Sequence, residues 1–156
     1  MIINRRAVLL AGATASLASF QVARAAPNAT PLTIKVYKDP TCGCCTAWVD
    51  HLKQAGFIAT SEARDDMNDI KEQLGVPSDL TSCHTGVIDG YAIEGHVPAA
   101  DIKRLLTTRP AGKGLAVAGM PTNSPGMEIP GEPDEPYTVW LFQADGKRTA
   151  FAKHGA

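Results

Sequence analysis

The chain has 156 residues, of which 20% are charged, with a formal net charge of -1 and four cysteines. That length suits one domain. The near-balanced, interspersed charge gives no electrostatic basis for binding nucleic acid or an anionic membrane surface.

The first residues read as an address. Arg5-Arg6 is followed by an apolar, small-residue run from Ala7 to about Val22 and then by Ala23-Arg24-Ala25. A basic start, a short apolar stretch and an A-x-A site predict a signal peptide over residues 1–25, cleaved after Ala25. The run is shorter than the roughly 20 residues that span a bilayer, so no membrane attachment is expected after cleavage. Asn4-Arg5-Arg6-Ala7-Val8-Leu9 also resembles a twin-arginine signal, leaving the general and twin-arginine export routes open. Either route predicts a periplasmic chain, 26–156, folded as a single domain in an oxidising compartment.

After an extended leader from Pro27 to Pro31, Leu32–Tyr37 reads as a first strand closed by Asp39-Pro40. A helix follows Cys45 to about Ala55, with Gly56 as its stop. Phe57 to about Glu62 reads as a second strand. Asp65-Asp66 is expected to cap a second helix, whose apolar Met67, Ile70 and Leu74 share one face. Two β-prone runs, Cys83–Ile88 and Tyr91–Gly95, flank Asp89-Gly90 and predict a hairpin. Pro98 opens a third helix with Ile102, Leu105 and Leu106 on one side, ending before Pro110. From Gly112 a Gly/Pro-rich stretch runs to Pro136, too rich in breakers for a helix or central strand. Tyr137–Phe142 is then a strand, Asp145-Gly146 a turn, and Arg148 to about Lys153 the partner strand.

Three of the four cysteines lie in Cys42-Gly43-Cys44-Cys45, between the first strand and the first helix. A helix N-terminus favours thiolate over thiol. Cys42 and Cys45 form the C-x-x-C pair of a dithiol oxidoreductase, whereas Cys42 and Cys44 form a close C-x-C grip. For disulfide exchange the extra thiol is a liability, since it diverts the mixed disulfide. For a soft metal it is an asset, because thiolates select Cu(I), zinc or iron–sulfur clusters. A tetrahedral zinc site usually draws on two separated knuckles; one crowded turn and a distant Cys83 suit bridged Cu(I) ions better. The bland reading is two disulfides, such as Cys42–Cys45 with Cys44–Cys83, although packing three cysteines into one turn adds little loop-closure stabilisation.

The β-α-β-α-β-β-α order with a cysteine turn before the first helix resembles the thioredoxin fold, most nearly its glutaredoxin-like form. It carries a C-terminal Gly/Pro-rich loop and β-hairpin extension. In that fold the segment leading into the third strand lies beside the cysteine turn. Here that segment holds Cys83-His84, where thioredoxins usually have a cis-proline. The resemblance therefore brings the fourth cysteine to the other three and places His84 next to them. His96, after the hairpin, is a further candidate neighbour. Met120 and Met127, in the Gly/Pro-rich loop, offer soft thioether sulfurs. Trp48 is expected in the core, and His51 and His154 in solvent.

Cys42-Gly43-Cys44-Cys45, Cys83-His84, Gly119-Met120-Pro121 and Ser124-Pro125-Gly126-Met127-Glu128 together resemble the exported CopG-type copper-resistance family, otherwise known as a domain of unknown function. The likeness runs from about Leu32 to His154. It implies a thioredoxin-like periplasmic protein that holds Cu(I), more than one ion per chain, through Cys42, Cys44, Cys45 and Cys83. It also implies copper-efflux or copper-oxidising proteins as partners, and the chain is expected to act as a monomer. Storage, delivery and copper redox activity all remain open roles. The rival readings are a thiol–disulfide oxidoreductase using Cys42 and Cys45, a disulfide-stapled structural domain, and a coloured iron–sulfur protein.

Overall fold

The computed structural model describes residues 31–155, and the signal peptide expected over 1–25 lies outside them. Strand β1 (Thr33–Lys38) alternates as a strand buried on one face should, with Ile34 and Val36 fully covered between exposed Thr33 and Lys35. It ends in an Asx turn, where Asp39 Oδ1 accepts the Thr41 N–H at 2.7 Å. Helix α1 (Gly43–Gln54) starts directly after, with Cys42 as its N-cap. Its end matches the expected glycine stop: Gly56 has φ +90°, and the Phe57 N–H returns to the Leu52 carbonyl at 3.0 Å.

Strand β2 (Ile58–Ala63) runs parallel to β1. Helix α2 (Met67–Gln73) and a 3-10 turn over Ser78–Leu80 lead to β3 (His84–Ile88) and β4 (Tyr91–Glu94). The β3–β4 hairpin turns on Asp89 and Gly90, both at positive φ, as an Asp-Gly signal predicts. Helix α3 (Ala99–Thr108) follows, then β5 (Gly114–Ala116), β6 (Tyr137–Phe142) and β7 (Arg148–His154). Among the described residues, seven strands form one sheet in the order β2-β1-β3-β4-β5-β6-β7, which with three α-helices makes a mixed α/β fold.

The sheet sorts its side chains onto two faces. One face carries Ile34, Val36, Ile88, Ile93, Leu115 and Val139 and packs under α1 and α3, through Trp48, Val49 and Leu52 and through Ile102 and Leu105. The other carries Ala92, Ala116 and Phe142 and meets Val76 and Leu80, beyond α2. The first cluster holds most of the large buried side chains and backs the cysteine turn.

Three expectations need correction. The stretch from Gly112 does hold a central strand at its start, because β5 pairs with both β4 and β6, so the C-terminal hairpin extends one continuous sheet. The Gly-rich start of the long stretch hid this strand. Gly114 is required there: a Cβ on it would sit 1.7 Å from the Ala92 carbonyl oxygen. Gly114→Ala should separate β4 from β5 and cost about 1–3 kcal/mol; a urea midpoint equal to wild type would refute this close approach. Second, Asp66 occupies the N-cap of α2 without a side-chain cap bond, because its carboxylate is taken by Arg64 at 2.8 and 2.6 Å. Third, His51 and His154 are not free in solvent. His51 Nε2 accepts the Ala99 N–H at the start of α3 (3.2 Å), and His154 pairs with Asp101 at 2.6 Å and stacks on Tyr137.

Candidate metal centre

The cysteine turn and the start of β3 meet because β1 and β3 are antiparallel neighbours, with Lys38 opposite His84. The end of one strand and the beginning of the other therefore share an edge of the sheet. The four sulfur atoms of Cys42, Cys44, Cys45 and Cys83 lie within 4.8 Å of one another. Cys42 Sγ is 3.4 Å from Cys44 Sγ, which is 3.5 Å from Cys83 Sγ. Cys42 and Cys45 are joined by a disulfide, while Cys44 and Cys83 are free. The second disulfide of the bland reading is therefore not formed. Cys42 Sγ also accepts the Cys45 N–H at 3.3 Å, the helix N-terminal placement expected from the turn.

A second donor group overlaps the first at Cys83, with Cys83, His84 and His96 also gathered within 4.8 Å. His84 Nδ1 lies 3.3 Å from Cys83 Sγ. Its Nε2 is buried and has no hydrogen-bond partner. Trp48 is in the core as expected, and it also backs the site, its ring 4.4 Å from His84 and its Nε1–H donating to the Val97 carbonyl at 2.9 Å. His96 is fully buried, with Nε2 3.5 Å from Cys83 Sγ. Burial pushes both imidazoles below the ordinary histidine range, His84 well below it. Neutral rings are the form that ligates metal or accepts a thiol proton.

Burial and the Cys44 thiol push the Cys83 thiol up to about 12. Two sulfurs this close resist a second negative charge unless a cation sits between them, so a metal ion bound there would displace protons.

Met120 is half-exposed and lines a cavity of about 470 Å³ together with Cys42, Cys44, Cys83, Met67 and Lys71. Met127 is not among the lining residues of that cavity. The Gly/Pro-rich loop is held against the site at three points. Ser82 Oγ donates to the Gly119 carbonyl at 2.6 Å, and His96 Nδ1–H donates to the Pro125 carbonyl at 2.9 Å. Gly126, at φ +84°, lies so close to α1 that a Cβ would come 2.6 Å from the Trp48 amide nitrogen.

Behind the cavity stands a buried charge network that sequence reading missed. Lys71 Nζ donates to Glu94 Oε1 at 2.5 Å and to Thr85 Oγ1 at 2.9 Å, and Thr85 donates to Glu94 Oε2 at 2.6 Å. Glu94 Oε1 also accepts the Ser82 N–H at 2.6 Å, one residue before Cys83. Burial pushes the Glu94 carboxyl above its ordinary value, and these donors oppose that push. Met67 was read only as an apolar helix position. A polar lysine and an isolated glutamate carry no motif, so neither signalled a shared site.

A protein-family profile described as "Protein of unknown function, DUF411" matches residues 80–127, the span that holds Cys83, His84, His96, Met120 and Met127. Among solved structures, one described as "Copper resistance protein copG- Form 1" is 46% identical, with a TM-score of 0.77, covering 81% of this chain and all of that one. A second, "Copper resistance protein copG- Form 2", is also 46% identical, with a TM-score of 0.75 and coverage of 80% and 99%. No curated protein sequence matches the chain. Among the described residues, no helix is long and apolar enough to cross a membrane.

Proposed function

The chain belongs to the CopG copper-resistance family, and from that membership we propose that it is a periplasmic Cu(I)-binding protein of copper homeostasis. In its reduced form Cys42, Cys44, Cys45 and Cys83 would share more than one copper ion. The observation that carries this reading is the convergence of four sulfurs within 4.8 Å of one another, although 37 residues separate Cys45 from Cys83 in sequence. Thiolates at such spacing can bridge soft ions, whereas harder cations prefer oxygen donors. Copper is the cargo here, and storage, delivery or redox cycling are the uses such a site permits.

We read β1 to β4 with α1 to α3 as a thioredoxin-like core, enlarged by three strands. The support is the parallel β1–β2 pair, the antiparallel β3 and β4, and the cysteine turn between β1 and α1. Residues 26–156 then form one exported domain after removal of 1–25. His84 belongs to the site through Nδ1, Met120 through its place on the cavity wall, and Met127 through the family likeness alone. Copper-efflux or copper-oxidising proteins are the partners this role calls for.

One observation favours a second reading. The Cys42–Cys45 disulfide is the oxidised state of a C-x-x-C oxidoreductase, with Cys42 at the helix N-terminus as the attacking sulfur. The test is elemental analysis of the mature chain from copper-supplemented cells, with thiols counted after metal removal. The copper reading expects more than one copper per chain and all four cysteines recovered as thiols. A metal-free chain with an intact Cys42–Cys45 bond would instead favour the oxidoreductase.

A further inference from the structure

The end of the sheet away from the cysteines holds a second hollow. β1 and β3 run antiparallel, so the start of β1 meets the end of β3, about 16 Å along the strand from Lys38 and the cysteine turn. Leu32, Ile88 and Leu106, which pack on the main core, line a cavity of about 440 Å³ there, together with the exposed Asp89, Lys103 and Arg109. An apolar lining with a few charged groups, at that size, is the make-up of a small-molecule site. Lys103 and Leu106 lie three residues apart on α3, so one helix face supplies both characters.

The charges around this cavity do not cancel. Arg109 Nη2 donates to Asp89 Oδ2 at 2.5 Å, which uses the one carboxylate that lines the cavity. Lys103 Nζ donates to the Ala55 carbonyl at 2.6 Å, and among the described residues no carboxylate pairs with it. An entering anion therefore meets a surplus cation, and the guanidinium has further N–H groups beyond the one given to Asp89. Arg109 also stands where its backbone is least at ease. It ends α3 at φ +47°, a left-handed position that glycine usually fills, with its N–H returned to the Leu105 carbonyl at 2.8 Å. Glycine would close the helix at less cost, so what arginine adds here is its side chain beside the cavity. A peptide backbone finds no strand edge to join, because β1 lies between β2 and β3, and β3 between β1 and β4.

We propose that this cavity binds a small amphipathic carboxylate, its apolar body on Leu32, Ile88 and Leu106 and its carboxylate held by Lys103 and Arg109. The cavity shares no lining residue with the one beside the cysteines, so the inference does not depend on the copper reading.

The test is titration of the copper-free, 15N-labelled mature chain with sodium octanoate, followed through the amide shifts of Leu32, Ile88 and Leu106. Saturable shifts centred on the cavity are expected, with affinity rising about 3- to 4-fold for each methylene added from hexanoate to octanoate. 1-Octanol should bind about 10-fold or more weakly, because it lacks the charge that the two cations recognise. Lys103→Gln should weaken octanoate about 3-fold and leave octanol unchanged. Arg109→Gly is the sharper variant. It relieves the left-handed backbone and gives up only an exposed ion pair, so the urea midpoint should hold while octanoate affinity falls about 10-fold. A lowered midpoint with unchanged octanoate affinity would make Arg109 a staple between α3 and the β3–β4 hairpin, and would overturn the proposal. Absent or non-saturating shifts, or octanol binding as tightly as octanoate, would overturn it too. Tighter binding by a leucine-ending peptide, lost when its C-terminus is amidated, would replace the small acid with a protein tail.

Discussion

Lys71→Met should destabilise the chain by about 3–5 kcal/mol, the usual result of removing one partner from a buried ion pair. Against a domain stability of about 5–15 kcal/mol, that is a large fraction. The Glu94 side chain is fully covered and that of Lys71 is only 7% exposed, so water cannot replace the lost ammonium. Methionine fills much of the same volume, so the cost comes from the bare carboxylate and not from a cavity. That distinction sets the control. Lys71→Met/Glu94→Gln removes the charge while keeping an acceptor for the Ser82 N–H, and should recover most of the loss. Urea melts of wild type, the two single variants and the double variant give the full cycle. A single variant within 1 kcal/mol of wild type, or a double variant worse than both singles together, would show that the pair does not hold this part of the fold. The network also carries Cys83, because Glu94 grips the backbone one residue before it. Lys71→Met chains that remain folded should therefore bind copper more weakly at Cys83.

The sequence made most of this architecture readable, because most of its signals are local. The Gly56 stop, the Asp89-Gly90 turn and the apolar faces of Ile102 and Leu105 each act within a few residues, and each stands where it was expected. Strand β5 escaped because its identity is not local. Three residues among glycines become a strand only when Ala92 and Phe142 arrive on either side. His51 and His154 were misread for the same reason, since Ala99 and Asp101 lie about fifty residues away from them. The meeting of Cys83 with the cysteine turn is equally distant, yet it was legible. There the likeness of the element order to the thioredoxin fold, and not any side-chain pattern, implies that the segment entering β3 lies beside the cysteine turn, and β3 does pair with β1. The supporting shell gave no such handle. Lys71 and Glu94 look like surface charges in sequence, and only the sheet's second face reveals them as one buried group.

Cys44→Ser should reduce the copper held by the reduced chain from several ions to at most one. Cys44 is the sulfur that links the two halves of the site, 3.4 Å from Cys42 and 3.5 Å from Cys83. Without it, Cys42 and Cys45 remain as one pair and Cys83 remains with its imidazoles, and the chain of close sulfur contacts from Cys42 to Cys83 is broken. The hydroxyl of serine is a harder and far less acidic donor, so it does not stand in for thiolate at Cu(I). The same variant separates the two functional readings. Disulfide exchange needs only an attacking and a resolving sulfur, so a Cys42/Cys45 oxidoreductase should keep or improve its activity when the diverting thiol is removed. Cys42→Ser should abolish that activity under the oxidoreductase reading, while copper binding would be only partly reduced. Copper per chain and reductase activity toward a small disulfide, measured on both variants, give opposite patterns for the two readings. Unchanged copper stoichiometry in Cys44→Ser would sink the shared-sulfur site, because a cluster that tolerates loss of its central sulfur is not built around it.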